Sequence, residues 1–151
     1  MNGGIMLFDK ILFPTDFSDV SKKSLESLKH LKEYRGKHVI LLHVIHQRII
    51  DSLSIHSSKI DVDEFQEDLR INALRQMTHM RDELSGLGFT VKLKIRIGLP
   101  LREILKTEEE EDPSMIIIGS HGKSNLHEML IGSVSEKVIR LSKKPVLVIK
   151  R

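Results

Sequence analysis

An alternation constrains this chain more than any other feature. Five short apolar runs, at 10–14, 39–45, 90–97, 115–118 and 145–149, are separated by stretches whose apolar residues recur every three or four positions. Short runs rich in Val, Ile and Leu read as buried strands, and the wider period reads as helix. Ser18 can cap a first helix whose stripe is Val20, Leu25, Leu28 and Leu31, with Tyr34 near its end and Gly36 as its stop. Asp61 and Glu64 open a long helix in the manner of a capping box. Its stripe is Val62, Phe65, Leu69, Ala73, Met77, Met80, Leu84 and Leu87, with the methionines as core filler, and Gly86 and Gly88 end it. Pro100 suits the first turn of a short helix carrying Leu101, Ile104 and Leu105, and Val134, Val138, Ile139 and Leu141 mark a last one. Strict strand–helix alternation predicts an α/β fold, a doubly wound and mostly parallel sheet with helices on both faces. Neither a repeat nor a linker divides the 151 residues, so one domain, 1–151, is expected.

Three segments are less regular. The run at 90–97 sets Val91, Leu93, Ile95 and Ile97 against Lys92, Lys94 and Arg96, which predicts an edge strand with one wet face. The acidic run from Glu108 to Asp112 reads as a solvated helix end and loop. Residues 46–60 lack clear periodicity yet carry Ile49, Ile50, Leu53 and Ile55, and read as a long loop. The final apolar run is expected at a sheet edge, where it invites pairing with a second copy.

Composition narrows the function. Cysteine is absent, which excludes disulfides, thiol catalysis and cysteine-bound zinc. With no membrane-length apolar stretch and no leader pattern, a cytoplasmic protein that engages no membrane is expected. Lysine and arginine total 24 against 21 acidic residues, and the six aromatics are not interleaved with basic residues, so nucleic acid is not an expected partner. The eight histidines, His43, His46, His121 and His127 among them, share no ligating motif, so no protein-held metal is expected and His43 reads as a satisfied histidine at a strand end.

In open α/β sheets, ligands bind beyond the carboxyl ends of the strands, where the strand order reverses. Pro14-Thr15-Asp16 follows the first run, and Gly119-Ser120-His121-Gly122-Lys123-Ser124-Asn125 follows the fourth. Glycine lets main-chain N–H groups approach an anion, and Gly132-Ser133-Val134-Ser135 stands at a helix start, where free amides and the positive dipole end collect. Ser133 and Ser135 add hydroxyl donors, and Asp16 suits a ribose hydroxyl or a base amino group. Gly122-Lys123-Ser124 is not the end of a Walker A loop, because the required earlier glycine is Ile117. A plain tight turn remains the alternative for these glycines.

The spacing Gly119-x2-Gly122-x9-Gly132-Ser133 resembles the nucleotide-binding signature of the universal stress protein family. Ile11-Leu12-Phe13-Pro14-Thr15-Asp16-Phe17-Ser18 is similar to that family's opening strand, and Leu42-His43-Val44 and Lys144-Pro145-Val146-Leu147-Val148 to its second and last. The resemblance implies five parallel strands in the order 3-2-1-4-5, a homodimer paired through the last strand (residues 145–150), and the ATP-binding branch of the family. Carried over by position, Asp16 and the Val44 backbone would hold the adenosine, lined by Pro14 and Thr15. Ile118 and Gly119 would flank the ribose. Gly122, Gly132, Ser133, Val134 and Ser135 would take the phosphates, with Lys123 at a position often basic in the family. A magnesium or manganese ion would come with the phosphates. The expected function is an ATP-dependent molecular switch read by an unidentified protein partner. The alternative is an enzyme, at most a weak ATPase or an adenylyl or phosphoryl transferase. No obvious general base adjoins the phosphate segment, where His121 is the one titratable candidate.

Overall fold

The structure, a computed structural model, describes residues 9–33, 38–56, 61–121 and 131–150. Tyr34, Gly36, Gly122, Lys123 and His127, all singled out above, lie outside the described residues. In chain order the elements are β1 (Lys10–Pro14), α1 (Asp19–Lys29) with a 3-10 turn His30–Glu33, β2 (His38–His46) and α2 (Gln47–His56). There follow α3 (Val62–Gly86), β3 (Thr90–Gly98), α4 (Pro100–Glu111), β4 (Met115–Gly119), α5 (Ser133–Leu141) and β5 (Val146–Ile149). The five strands form one parallel sheet in the order β3-β2-β1-β4-β5, as expected.

The period of two along each strand divides the core. Ile11, Phe13, Val39, Leu41, Met115 and Ile117 face one side, where Leu25 and Leu28 of α1 and Met77, Met80 and Leu84 of α3 cover them. Leu12, Ile40, Leu42, Ile116 and Ile118 face the other side, covered by Ile104 of α4 and Val138 of α5. The central strands therefore need apolar residues at every position, which is why they read as unbroken runs. The caps also follow the sequence: Ser18 accepts from the Ser21 N–H, and Asp61 from those of Asp63 and Glu64. Gly88 takes φ 91° just past α3, a conformation that costs glycine little. Among the described residues no helix is long and apolar enough to cross a membrane.

Two readings are corrected. Residues 47–56 are helix rather than loop. Its apolar residues do not form one regular stripe: Ile50 is buried, whereas Ile49 and Ile55 are exposed. The Ser52 and Ser54 hydroxyls donate back to carbonyls within the helix, serine chemistry that in the sequence favours turns as much as helix. The acidic run is not simply solvated, and the second face of β3 is not simply wet. Although β3 lies at the edge as predicted, α4 extends to Glu111 and lays its glutamates over the basic face. Glu111, 9% exposed, pairs with Lys92 at 2.7 Å and Lys94 at 2.6 Å, while Glu110 takes Lys94 and Arg96. Glu108, also buried, accepts from the Lys143 N–H at 2.7 Å and the Ser142 hydroxyl at 3.0 Å, tying the α5–β5 turn to α4. Segregated opposite charges, each solvated in isolation, have found one another across the fold.

Hydrogen bonds from Lys92 and then Lys94 hold the Glu111 carboxyl down at about 2, below its ordinary 4.5. A carboxylate depressed in the folded state stabilises above its unfolded pKa, and that contribution is lost as pH falls toward the folded value. Glu111→Gln should therefore lower the thermal midpoint at pH 7 and leave a shallower loss of stability between about pH 4.5 and about pH 2 than in the parent protein. Superimposable pH profiles from thermal melts would contradict this role.

Candidate functional site

The strands do not end level. β1 pairs with β2 as far as Pro14 and Leu42, but β2 continues through His43, Val44, Ile45 and His46, paired with β3 up to Gly98. The Thr15 N–H donates to the Leu42 carbonyl at 2.8 Å, so the polar groups of Leu42 point toward β1. Backbone direction alternates along a strand, so the N–H and C=O of Val44 point the same way, past the last residue of β1. Beyond this step lies a cavity of about 710 Å³ at the carboxyl ends of β1, β2 and β4.

Of the predicted residues within the described chain, Pro14, Thr15, Asp16, Val44, Ile118, Gly119, Gly132, Ser133, Val134 and Ser135 all line this one cavity. Gly122 and Lys123 lie outside the described residues. The β1–α1 turn is held by its own side chains. The Thr15 hydroxyl is 2.6 Å from that of Ser21 and accepts from the Phe17 N–H at 3.1 Å. Asp16 accepts from the Ser18 N–H at 3.0 Å. Phe17, at φ 62°, stacks its ring on His43 with centroids 4.4 Å apart. His43 Nδ1 in turn lies 2.8 Å from the Thr15 carbonyl oxygen, in line with a satisfied histidine at that place.

Across the cavity, α5 begins at Ser133 with Gly132 as its N-cap and no capping side chain. Its first intrahelical bond runs from the Glu136 N–H to the Gly132 carbonyl at 2.9 Å. The amides of Ser133, Val134 and Ser135 precede that bond and have no acceptor within the helix, so the positive end of the dipole faces the cavity. One expectation changes here. The Ser135 hydroxyl donates to the Gly119 carbonyl at 2.7 Å, so its proton is already committed and only its amide is left for a ligand. Gly119 has a packing reason as well: a β-carbon there would sit 2.9 Å from Val20 Cγ1 of α1. Beside it, the buried His121 places Nδ1 2.6 Å from the Ser120 hydroxyl, while its Nε2 has no partner among the described residues. A buried ring nitrogen left unsatisfied costs free energy unless something supplies its bond.

Among the described residues, Asp16 is the one carboxylate lining the cavity, and no group of three His, Cys, Asp or Glu that could hold a metal occurs. Chemically, the arrangement suits an anion at the main-chain amides of α5 and a hydrogen-bonding group at the Val44 edge, beside apolar walls from Ile104, Ile118 and Val134. Sequence reasoning missed the Phe17–His43 stack and the wall from α3, made by Leu69, Asn72, Ala73 and Gln76. The only signal for that wall was helical: these four share one face, and only two of them belong to the apolar stripe.

Comparison with known proteins places the chain in a family. A family model described as "Universal stress protein family" matches residues 7–150. Universal stress protein MJ0577 of Methanocaldococcus jannaschii is 43% identical over 97% of both chains. Its solved structure superposes with a TM-score of 0.86, covering 96% of this chain and 97% of that one. Two more distant structures share the fold. One is an Arabidopsis thaliana family protein described with AMP bound, with a TM-score of 0.69 at 19% identity, covering 94% of this chain and 91% of that one. The other is a universal stress protein described in complex with cAMP, with a TM-score of 0.67 at 18% identity, covering 95% of this chain and 97% of that one. With the family model spanning almost all of its length and a relative at 43% identity, the chain belongs to the universal stress protein family.

Proposed function

We propose that this protein binds ATP in the cavity beyond β1, β2 and β4 and acts as a nucleotide-dependent switch. The observation that carries the reading is the first turn of α5, which no side chain among the described residues caps, facing the same cavity as the freed Val44 edge. The amides of Ser133, Val134 and Ser135 would take the phosphates, together with Gly122, Gly132 and Lys123. Asp16 and the Val44 backbone would hold the adenosine against Pro14 and Thr15, and Ile118 and Gly119 would flank the ribose. His121 Nε2, buried without a partner among the described residues, would gain one from the ligand. Any magnesium or manganese ion would arrive bound to the phosphates, since oxygen ligands suit both. The distant relatives described with AMP and cAMP support a nucleotide as the ligand class.

The route from ligand to partner is short. Ser135 of α5 is bonded to Gly119, which lies opposite Ile149 at the end of β5. A ligand that settles α5 therefore acts on the strand at the sheet edge. That edge would pair with a second copy through residues 145–150, and an unidentified protein would read the dimer's state. The absence of cysteine fits a cytoplasmic setting.

Three measurements test this reading. Gly132 has ψ 150°, which suits a residue before proline, and proline is tolerated at a first helical position. Ser133→Pro should thus remove one amide donor without unfolding α5. By calorimetry it should bind ATP about 10- to 100-fold more weakly, the range for a hydrogen bond to a charged group. Ser133→Ala separates loss of the hydroxyl from loss of the amide, and equal affinity in the alanine and proline variants would refute the amide cradle. Leu147 is exposed on β5, and Leu147→Lys should convert a dimer to a monomer by light scattering; an unchanged mass would move the interface elsewhere. Phosphate release from ATP with magnesium should stay far below one turnover per second. Faster release that disappears in His121→Ala would favour the enzyme.

A further inference from the structure

The α3 wall of the cavity has no counterpart in the residues assigned above. Asn72 and Gln76 stand one helical turn apart on that wall, beside Leu69 and Ala73. They bring two primary amides to a cavity whose described lining contains no lysine or arginine.

Position decides which part of a ligand they meet. Helix α3 packs on β3 and β2, at one end of the sheet order, whereas α5 packs on β5 at the other. From β2 to β4 is two interstrand steps, about 10 Å. A ligand with its anionic end on the α5 amides must therefore reach toward α3 with its opposite, uncharged end. On the nucleotide reading, on which this inference rests, that end is the base.

The chemistry of the two residues then sets a preference. A primary amide offers one donor side and one acceptor side, which matches the adjacent N6 amino group and N7 of adenine. Guanine presents two neighbouring acceptors, O6 and N7, which arginine or lysine meets best, and neither lines the described cavity. We infer that Asn72 and Gln76 of α3 read the edge of the nucleobase and make the site prefer adenine to guanine. Val44 supplies main-chain groups from the opposite side of the base, so the ring is held between a strand edge and a helix face. Phe17, stacked on His43 and lining the same cavity just before α1, limits how far the base can slide toward α1.

The test compares ATP and GTP binding by calorimetry in the parent protein, Asn72→Ala, Gln76→Ala and the isosteric Gln76→Glu. Asn72 is exposed and Gln76 half-buried, so both positions lie outside the core and the variants should melt like the parent. The parent should prefer ATP to GTP by at least tenfold. Each alanine variant should lose about fivefold in ATP affinity and little in GTP affinity, so that the ratio narrows. Gln76→Glu, which removes the donor side and adds a negative charge, should weaken GTP at least as much as ATP. An unchanged ATP-to-GTP ratio in both alanine variants overturns the role of α3 and leaves the nucleotide reading standing. A parent protein that binds neither nucleotide overturns both.

Discussion

Apolar closure of both faces of β1 and β4 is the constraint on which the molecule rests. Ile11, Leu12, Phe13, Ile116 and Ile117 are all fully buried, so these strands can be covered only by helices above and below. Parallel connections then bring every strand's carboxyl end to one rim. Because β1 and β4 stop short while β2 runs on, the rim contains a step, and polar backbone that a longer β1 would have paired is left available there. The site is thus a product of unequal strand lengths, and no dedicated insertion is needed to make it.

The sequence made the sheet legible because burial on two faces leaves nearly unbroken apolar runs in the inner strands, and the one charged face of β3 leaves an alternation. It made the caps at Ser18 and Asp61 legible because a short oxygen-bearing side chain before an apolar stripe has few other uses. Most of the candidate site could be read as well, since glycine and serine after a strand and before a helix concentrate free amides. What the sequence hid was contact at a distance. The glutamates of α4 and the basic residues of β3 lie 14 to 19 positions apart in the hydrogen-bonded pairs that join them, and no local rule joins such charges. Residues 47–56 were hidden for a different reason: their serines suit a turn as well as a helix, and only the packed structure decides between them.

That charged layer also changes the character of the β3 edge. An edge strand exposes unpaired backbone and is open to chance association. Here Lys92, Lys94 and Arg96 are drawn down onto α4 by Glu110 and Glu111, which fixes long side chains along the strand. The opposite edge, β5, carries Leu147 exposed and, among the described residues, no comparable layer of paired charge. The two borders of one sheet are therefore unlike, one overlaid by paired charges and one with a leucine exposed on it.

The turn at Phe17 shows how the rim keeps its shape. A positive φ is uncommon for a bulky side chain and disfavours this backbone by roughly 1 kcal/mol, a burden that glycine would escape. The hydroxyl of Thr15 and the carboxylate of Asp16 grip the amides on either side of the bend, and the benzene ring rests on an imidazole from the neighbouring strand. Contour is thus dictated by what the ring leans against, with backbone preference overruled. Glycine would ease the main chain yet leave the doorway without its jamb.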